Sequence, residues 1–201
     1  MDKHTAKLVR YCRARGKRLL AAEIGTFYYG WRNGDPAGAC SLDAVLTVAE
    51  GVIRGLKAGL DAFAFWCLWN PNTVDGHWRI IGVENGEVIR SEYSHPVYGA
   101  LSRHVRPGAT VIPLQAETQP RSVCPLHAVA LENAAGEHVV FMVNDHPEES
   151  ARFEINLPSG WEKLPARCFT VNADQRGEET SSTASRHNEL PPKTFRAYYG
   201  P

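Results

Sequence analysis

Arg18-Leu-Leu-Ala-Ala-Glu-Ile24, a helical stretch over 41–59, and Asp61-Ala-Phe-Ala-Phe-Trp-Cys-Leu68 decide the reading of this chain. The two outer runs are apolar almost throughout instead of alternating, which is the texture of strands in a parallel sheet covered on both faces. Between them Leu42, Val45, Leu46, Val48, Ala49, Val52, Ile53 and Leu56 recur at helical spacing. Ser41 stands where an N-cap belongs, with Asp43 in the first turn. A strand, a helix and a strand joined by a crossover of this length form a βαβ unit, which implies parallel pairing. Gly51, Gly55 and Gly59 lie four apart. A membrane-dimer reading of that G-x-x-x-G pattern fails against Glu50, Arg54 and Lys57, so the spacing predicts close packing of the helix on the sheet.

Outward from this unit, residues 3–17 read as a helix that stops at Gly16, with Leu8, Val9 and Cys12 on its inner face. Its excess of Lys and Arg could belong to a transit peptide or a nucleic-acid arm. The segment runs straight into a strand, so a solvated helix face is the reading adopted. On the other side, 71–92 is a polar excursion with a hairpin at Glu84-Asn85-Gly86-Glu87. Ser94 then caps a last helix over 96–105, with Pro96 in its first turn, and Arg106-Pro107-Gly108 ends it.

The texture changes at Thr110. Residues 110–116, 126–132, 138–144, 151–157, 166–171 and 194–199 are short β-prone runs between turn residues, and Asn133-Ala-Ala-Gly136 suits a hairpin link. Ala151, Phe153, Ile155 and Leu157 alternate with Arg152, Glu154 and Asn156, the pattern of a half-buried strand. The stretch 175–188 is expected to be a mobile polar loop. The fold class is therefore α/β followed by all-β, with a division at 107/108.

The 201 residues, 43% hydrophobic and 22% charged with a formal net charge of zero, suit a globular protein without strong attraction to nucleic acid or membranes. No run reaches the ~18 apolar residues of a membrane span, and no secretory signal follows Met1. The compartment stays unassigned. The five cysteines form no C-x-x-C pair and the eight histidines no H-x-x-x-H pair, so neither a metal site nor a cofactor is expected. Cys12 and Cys67 read as small buried hydrophobes.

Ligands of parallel α/β folds bind beyond the carboxyl ends of the strands. One such end presents Glu23, and the other Trp66, Trp69 and Asn70. A carboxylate beside indole rings suits sugar chemistry, since sugar CH faces stack on Trp and an anion stabilises an oxocarbenium-like transition state. Along a regular strand Trp66 and Trp69 would point to opposite faces unless the strand has ended before Trp69. Tyr28, Tyr29, Trp31 and His77 lie on loops at the same ends, and loops with large aromatics are commonly binding loops.

Ala21-Ala-Glu23-Ile-Gly25 with its aromatic loop, and Phe65-Trp66-Cys-Leu-Trp69-Asn70, resemble strands seven and eight of retaining (β/α)8 glycosidases. Tyr98-Gly-Ala-Leu-Ser102-Arg-His-Val-Arg106-Pro107-Gly108 resembles the last barrel helix of glycoside hydrolase family 30 and its relatives, where that helix leads into a β-sandwich. Val129-Ala-Leu131, the run 139–144 and Leu190-Pro-Pro-Lys-Thr-Phe195 fit such a sandwich. The resemblance implies a partial TIM barrel over 1–107 and a β-sandwich over 108–201. It implies a retaining hydrolase of β-linked glycans or glycosides, Glu23 as nucleophile, and Trp69, Asn70 and more weakly Trp66 at the sugar subsite.

The family's second carboxyl group, an acid/base Glu after an Asn on strand four, has no counterpart in 1–107; the single Asn-Glu pair is Asn188–Glu189 in the all-β part. A full barrel takes about 250 residues. The chain is thus expected to be a fragment, inactive alone and prone to self-association through exposed barrel edges. One alternative is a non-catalytic carbohydrate-binding protein using Trp161, Tyr198 or Tyr199. Another is a relative among α-L-arabinofuranosidases or β-xylosidases, with the same nucleophile.

Overall fold

In the computed structural model, residues 2–25, 38–69, 79–112, 114–118, 126–156, 161, 166–181 and 187–201 are described. The chain divides into two compact units, Met1–Gly99 and Ala100–Pro201.

The first unit opens with helix α1 (Asp2–Arg13) and strand β1 (Leu20–Ile24). A 3₁₀ turn (Gly38–Cys40) leads into α2 (Leu42–Lys57), which crosses over to β2 (Ala62–Phe65). β1 and β2 pair in parallel, as the βαβ pattern requires. The Ser41 hydroxyl accepts a bond from the Ala44 N–H (3.3 Å) and donates to the Gly38 carbonyl (2.8 Å). The hairpin β3 (Ile81–Glu84) to β4 (Glu87–Arg90) turns on Asn85 and Gly86, both at positive φ (52° and 83°). Helix α3 (Ser94–His104) crosses the division between the units.

Both first helices end in the same left-handed cap. After α1, Lys17 N–H reaches the Cys12 carbonyl and Gly16 N–H the Arg13 carbonyl (2.9 and 3.0 Å), with Gly16 at φ +63°. After α2, Leu60 N–H reaches Gly55 and Gly59 N–H reaches Leu56 (both 2.9 Å), with Gly59 at φ +92°. This double bond pattern satisfies the last helix carbonyls and needs a residue without Cβ strain. Two of the three glycines spaced four apart thus serve the end of α2. Gly59 is the cap, and a Cβ at Gly55 would meet Leu60 of its own chain turn at 3.2 Å.

Four further expectations change. Leu8 stands exposed, and Val9 alone of the proposed inner face is buried. Cys12 and Cys67 are half-buried, not core residues. Ser94 lies inside α3 and its buried hydroxyl makes no hydrogen bond among the described residues, so it is not a cap. β1 and β2 are not buried on both faces: Leu20 is 56% exposed, and Ala62 and Ala64 are exposed as well. The covered face carries Ile24, Phe63 and Phe65, with Phe65 stacked on Tyr98 of α3 (4.3 Å).

The second unit holds strands β5 (Thr110–Ile112), β6 (Gln115–Thr118), β7 (Leu126–Glu132), β8 (His138–Asn144) and β9 (Ala151–Asn156). They are followed by β10 (Arg167–Val171), β11 (Arg176–Ser181), β12 (His187–Leu190) and β13 (Thr194–Gly200). One antiparallel sheet has the order β11-β10-β13-β8-β7-β5 and the other β12-β9-β6. Ala128, Ala130, Val140, Met142, Cys168 and Tyr198 of the large sheet share a core with Ala151, Phe153 and Leu190 of the small one. The run expected over 110–116 splits between the two sheets after Ile112; the next residue in sequence is a proline, which cannot donate to a ladder. Much of the expected loop 175–188 is strand: β11 extends β10 at the sheet edge, where polar side chains face solvent while the backbone pairs.

Two buried polar residues tie this unit together. Asn144 donates from Nδ2 to the Glu149, Leu190 and Pro191 carbonyls (2.9–3.0 Å) and accepts from His146 N–H (3.0 Å). Asn133 donates to the His104 carbonyl (3.1 Å) and to Glu137 (2.7 Å), while His104 Nδ1 meets the other Glu137 oxygen at 3.2 Å. The last turn of α3 is thereby fastened to the β7–β8 hairpin.

Gly16→Ala should cost about 1 kcal/mol in urea unfolding, the penalty of a left-handed Ala. Gly59→Ala should cost more, because its Cβ would also press on Val9 and Arg13 at 3.2 and 3.1 Å. Burial, opposed by Glu137 and reinforced by Arg103 and Arg106, depresses the His104 pKa. The fold then favours neutral His104, so this contribution is complete above the unfolded value of about 6.5 and fades as pH falls below it. His95 is depressed in the same sense by burial and Arg90. The measurement is therefore the difference between wild type and His104→Gln, whose stability should decline less on acidification.

Candidate functional site

The carboxyl ends of β1 and β2 lie side by side. Leu20 pairs with Ala62, Ala21 with Phe63, and Ile24 with Phe65. Three steps along β1 thus match two along β2, so β1 carries one extra residue between Ala21 and Ile24. Such a bulge re-aims side chains. Ala22 and Glu23 are both exposed, while Ile24 turns into the covered side.

Past the bulge, Trp66 N–H donates to the Ile24 carbonyl (3.0 Å) and closes the pair. β2 ends at Phe65, so the alternation that would part Trp66 from Trp69 no longer applies. Trp66 is 49% exposed and Trp69 52%. The Trp66–Cys67 peptide bond is cis. On the other side, Ile80 N–H donates to the Cys67 and Leu68 carbonyls (3.0 and 3.2 Å), Ile81 N–H donates to Leu68 (2.9 Å), and Trp69 bridges to Ile81. The segment 66–69 is thus held between β1 and the start of β3. Cys40 donates its thiol to the Arg79 carbonyl (3.5 Å), and Arg79 pairs with Glu84 (2.5 Å). Burial, with Cys40 nearby, raises the Cys67 pKa, so this half-buried thiol stays protonated near neutrality.

Of the expected site residues, the structure brings Glu23, Trp66 and Trp69 to one end of the strand pair. Asn70, Tyr28, Tyr29, Trp31 and His77 lie outside the described residues. Sequence reasoning missed the bulge, which no glycine or proline marks, and the bracing of 66–69 by 79–81. The aromatic platforms expected in the all-β part are a correction. Trp161 is buried against His138 (4.0 Å), Tyr198 is in the core, and Tyr199 lies against His104 (4.4 Å). All three are buried, so none is the exposed stacking platform that was expected. Asn188–Glu189 lies on β12, where Glu189 is exposed beside Arg152 (3.4 Å). The Ser150 hydrogen bond and Arg152 hold its carboxyl low, opposite to the needs of a general acid.

The fold recurs in solved glycoside hydrolase structures. The chain is similar to the catalytic domain of GH30 xylanase C from Talaromyces cellulolyticus, with a TM-score of 0.61 and 16% identity over 91% of this chain and 40% of that one. A conserved exported protein from Bacteroides fragilis matches with a TM-score of 0.72 and 15% identity, over 99% of this chain and 42% of that one. AbfB, a family 51 α-L-arabinofuranosidase from Bifidobacterium longum, matches with a TM-score of 0.65 and 15% identity, over 100% and 47% respectively. The chain therefore spans less than half the length of these structures. No family model and no curated protein matches the sequence.

Because Glu23 and Trp69 are exposed, Glu23→Gln and Trp69→Ala should each leave urea-unfolding stability within about 0.5 kcal/mol of wild type. A larger loss would show that these side chains serve the fold.

Proposed function

We propose that this chain is the nucleophile-bearing part of a retaining glycoside hydrolase acting on β-linked glycans or glycosides. The observation that carries the reading is the bulge that leaves the Glu23 carboxylate exposed at the strand end shared with Trp66 and Trp69. On this reading β1–α2–β2–α3, through residue 107, is the last portion of a (β/α)8 barrel, and 108–201 is its β-sandwich.

Glu23 attacks the anomeric carbon while the glycosidic oxygen leaves, giving a glycosyl ester that water then hydrolyses. Trp66 and Trp69 offer flat apolar surfaces to the sugar CH faces. The leaving oxygen needs a proton from a second carboxyl group about 5 Å from the first. Glu189 does not suit that task, so the acid/base is assigned to residues outside this chain. The likeness to family 51 structures leaves the sugar open but is compatible with the same nucleophile.

The purified chain should fail to turn over unactivated aryl glycosides, yet 2-deoxy-2-fluoroglycosyl fluorides, whose leaving group needs little protonation, should label it slowly. Peptide mass mapping should place the sugar on Glu23, with no label on Glu23→Gln. Labelling at another residue would overturn the nucleophile assignment. Robust hydrolysis abolished by Glu23→Gln would instead show that the acid lies within this chain.

A further inference from the structure

Residues 2–18 carry seven Lys and Arg against Asp2 alone, in a chain whose formal net charge is zero. The neutral whole therefore conceals a local cationic field. Lys3, Lys7, Arg10, Arg13, Arg15, Lys17 and Arg18 are all exposed, on α1 or just past its end. Arg13 donates to the Gly59 carbonyl (3.3 Å) and Arg15 to the Tyr11 carbonyl (3.2 Å). The side chains of the other five make no hydrogen bond or ion pair among the described residues.

A helix face that meets only water gains from pairs of opposite charge one turn apart, as Glu50 and Arg54 form on α2. On α1, Lys3, Lys7 and Arg10 instead set like charges at i, i+4 and i+7. Arg10 and Arg13 suit the last turn, but Lys3 stands in the first turn, against the helix dipole. This arrangement costs helix stability and is relieved by anions from outside the chain. The three cations span about 10 Å of helix axis, too far for one small anion. Their complement is a surface that bears many negative charges.

Beside that row, Leu8 and Tyr11 are 53% and 58% exposed, while Val9 is buried. An apolar pair flanked by Lys7 and Arg10 matches the layering of a bilayer surface, where anionic headgroups overlie acyl chains. Tyrosine suits such a boundary, its ring apolar and its hydroxyl wet. Single-stranded nucleic acid would use an exposed ring by stacking bases on it. One face of Tyr11 already carries the Arg15 guanidinium (3.7 Å), and Leu8 has no base-stacking role.

We propose that α1 docks this protein on an anionic lipid surface, with Lys3, Lys7 and Arg10 on the headgroups and Leu8 and Tyr11 in the layer beneath. The contact is peripheral, since no helix among the described residues is long and apolar enough to cross a membrane. It does not involve Glu23.

The test is co-sedimentation of the full chain with vesicles of phosphatidylcholine alone and of equimolar phosphatidylcholine and phosphatidylserine. The chain should bind the mixed vesicles, leave them as salt is raised, and ignore phosphatidylcholine. Each cation removed should weaken binding about fivefold, so Lys3→Gln, Lys7→Gln and Arg10→Gln together roughly a hundredfold. Leu8→Ala with Tyr11→Ala should weaken it about tenfold at unchanged charge. Glu23→Gln should bind as wild type does. These positions are exposed, so the variants should keep the wild-type circular dichroism. Absence of binding to the mixed vesicles overturns the proposal, as does equal binding to phosphatidylcholine or binding that either multiple variant leaves unchanged. Displacement from the vesicles by duplex DNA at equal phosphate would make α1 a nucleic-acid surface and equally overturn it.

Discussion

The hydrogen bond from Trp66 N–H to the Ile24 carbonyl closes the parallel pair just past its bulge and so fixes where Glu23 stands. Without the extra residue in β1, strict alternation would place Glu23 on the covered face with Ala21 and turn Ile24 outward. A one-residue slip reverses every side chain that follows it. The bulge makes that exchange at one position, and the closing bond holds it. An apolar side chain enters the packed side while a carboxylate reaches solvent at the strand end that carries two indoles.

The second unit rests on a different constraint. Its large sheet is apolar on both faces: Tyr198, Val140 and Met142 serve the shared core, while Phe195, Phe141 and Val143 are buried on the opposite face. The central strands are β8 and β13, and β13 follows the other eight described strands of this unit in sequence. The sheet therefore cannot complete its ladder until β13 enters between β10 and β8. Asn144 then joins the end of β8 to the chain entering β13, through bonds to Leu190 and Pro191. Such a buried amide is costly unless its polar atoms are met, which makes this arrangement selective for one path of the chain.

Much of this was legible in the sequence, for physical reasons that differ by element. Helix α2 and the hairpins were readable because capping and turn residues act locally, as Ser41 and Asn85-Gly86 do. Strands β7, β8 and β13 were readable because continuous β-prone runs lay between turn residues. Strand β11 was missed because its sequence, Arg-Gly-Glu-Glu-Thr-Ser, carries no apolar period; its pairing comes from β10. The bulge was hidden for the same reason, since register belongs to two strands and one strand's residues do not encode it alone. Glu23 was legible as a carboxylate at a strand end, yet its exposure depends on the register with β2.

The exposed face of the parallel pair also differs along its length. Leu20 and Ala62 stand opposite each other at its amino end, apolar and unable to make or break bonds. Glu23, Trp66 and Trp69 gather at its carboxyl end, where the backbone leaves the ladder and side chains are no longer bound to alternate. The pair thus carries exposed apolar side chains at its amino end and an exposed carboxylate and two exposed indoles at its carboxyl end. The difference follows from the bulge between Ala21 and Ile24 and from the end of β2 at Phe65, which free these positions from strict alternation.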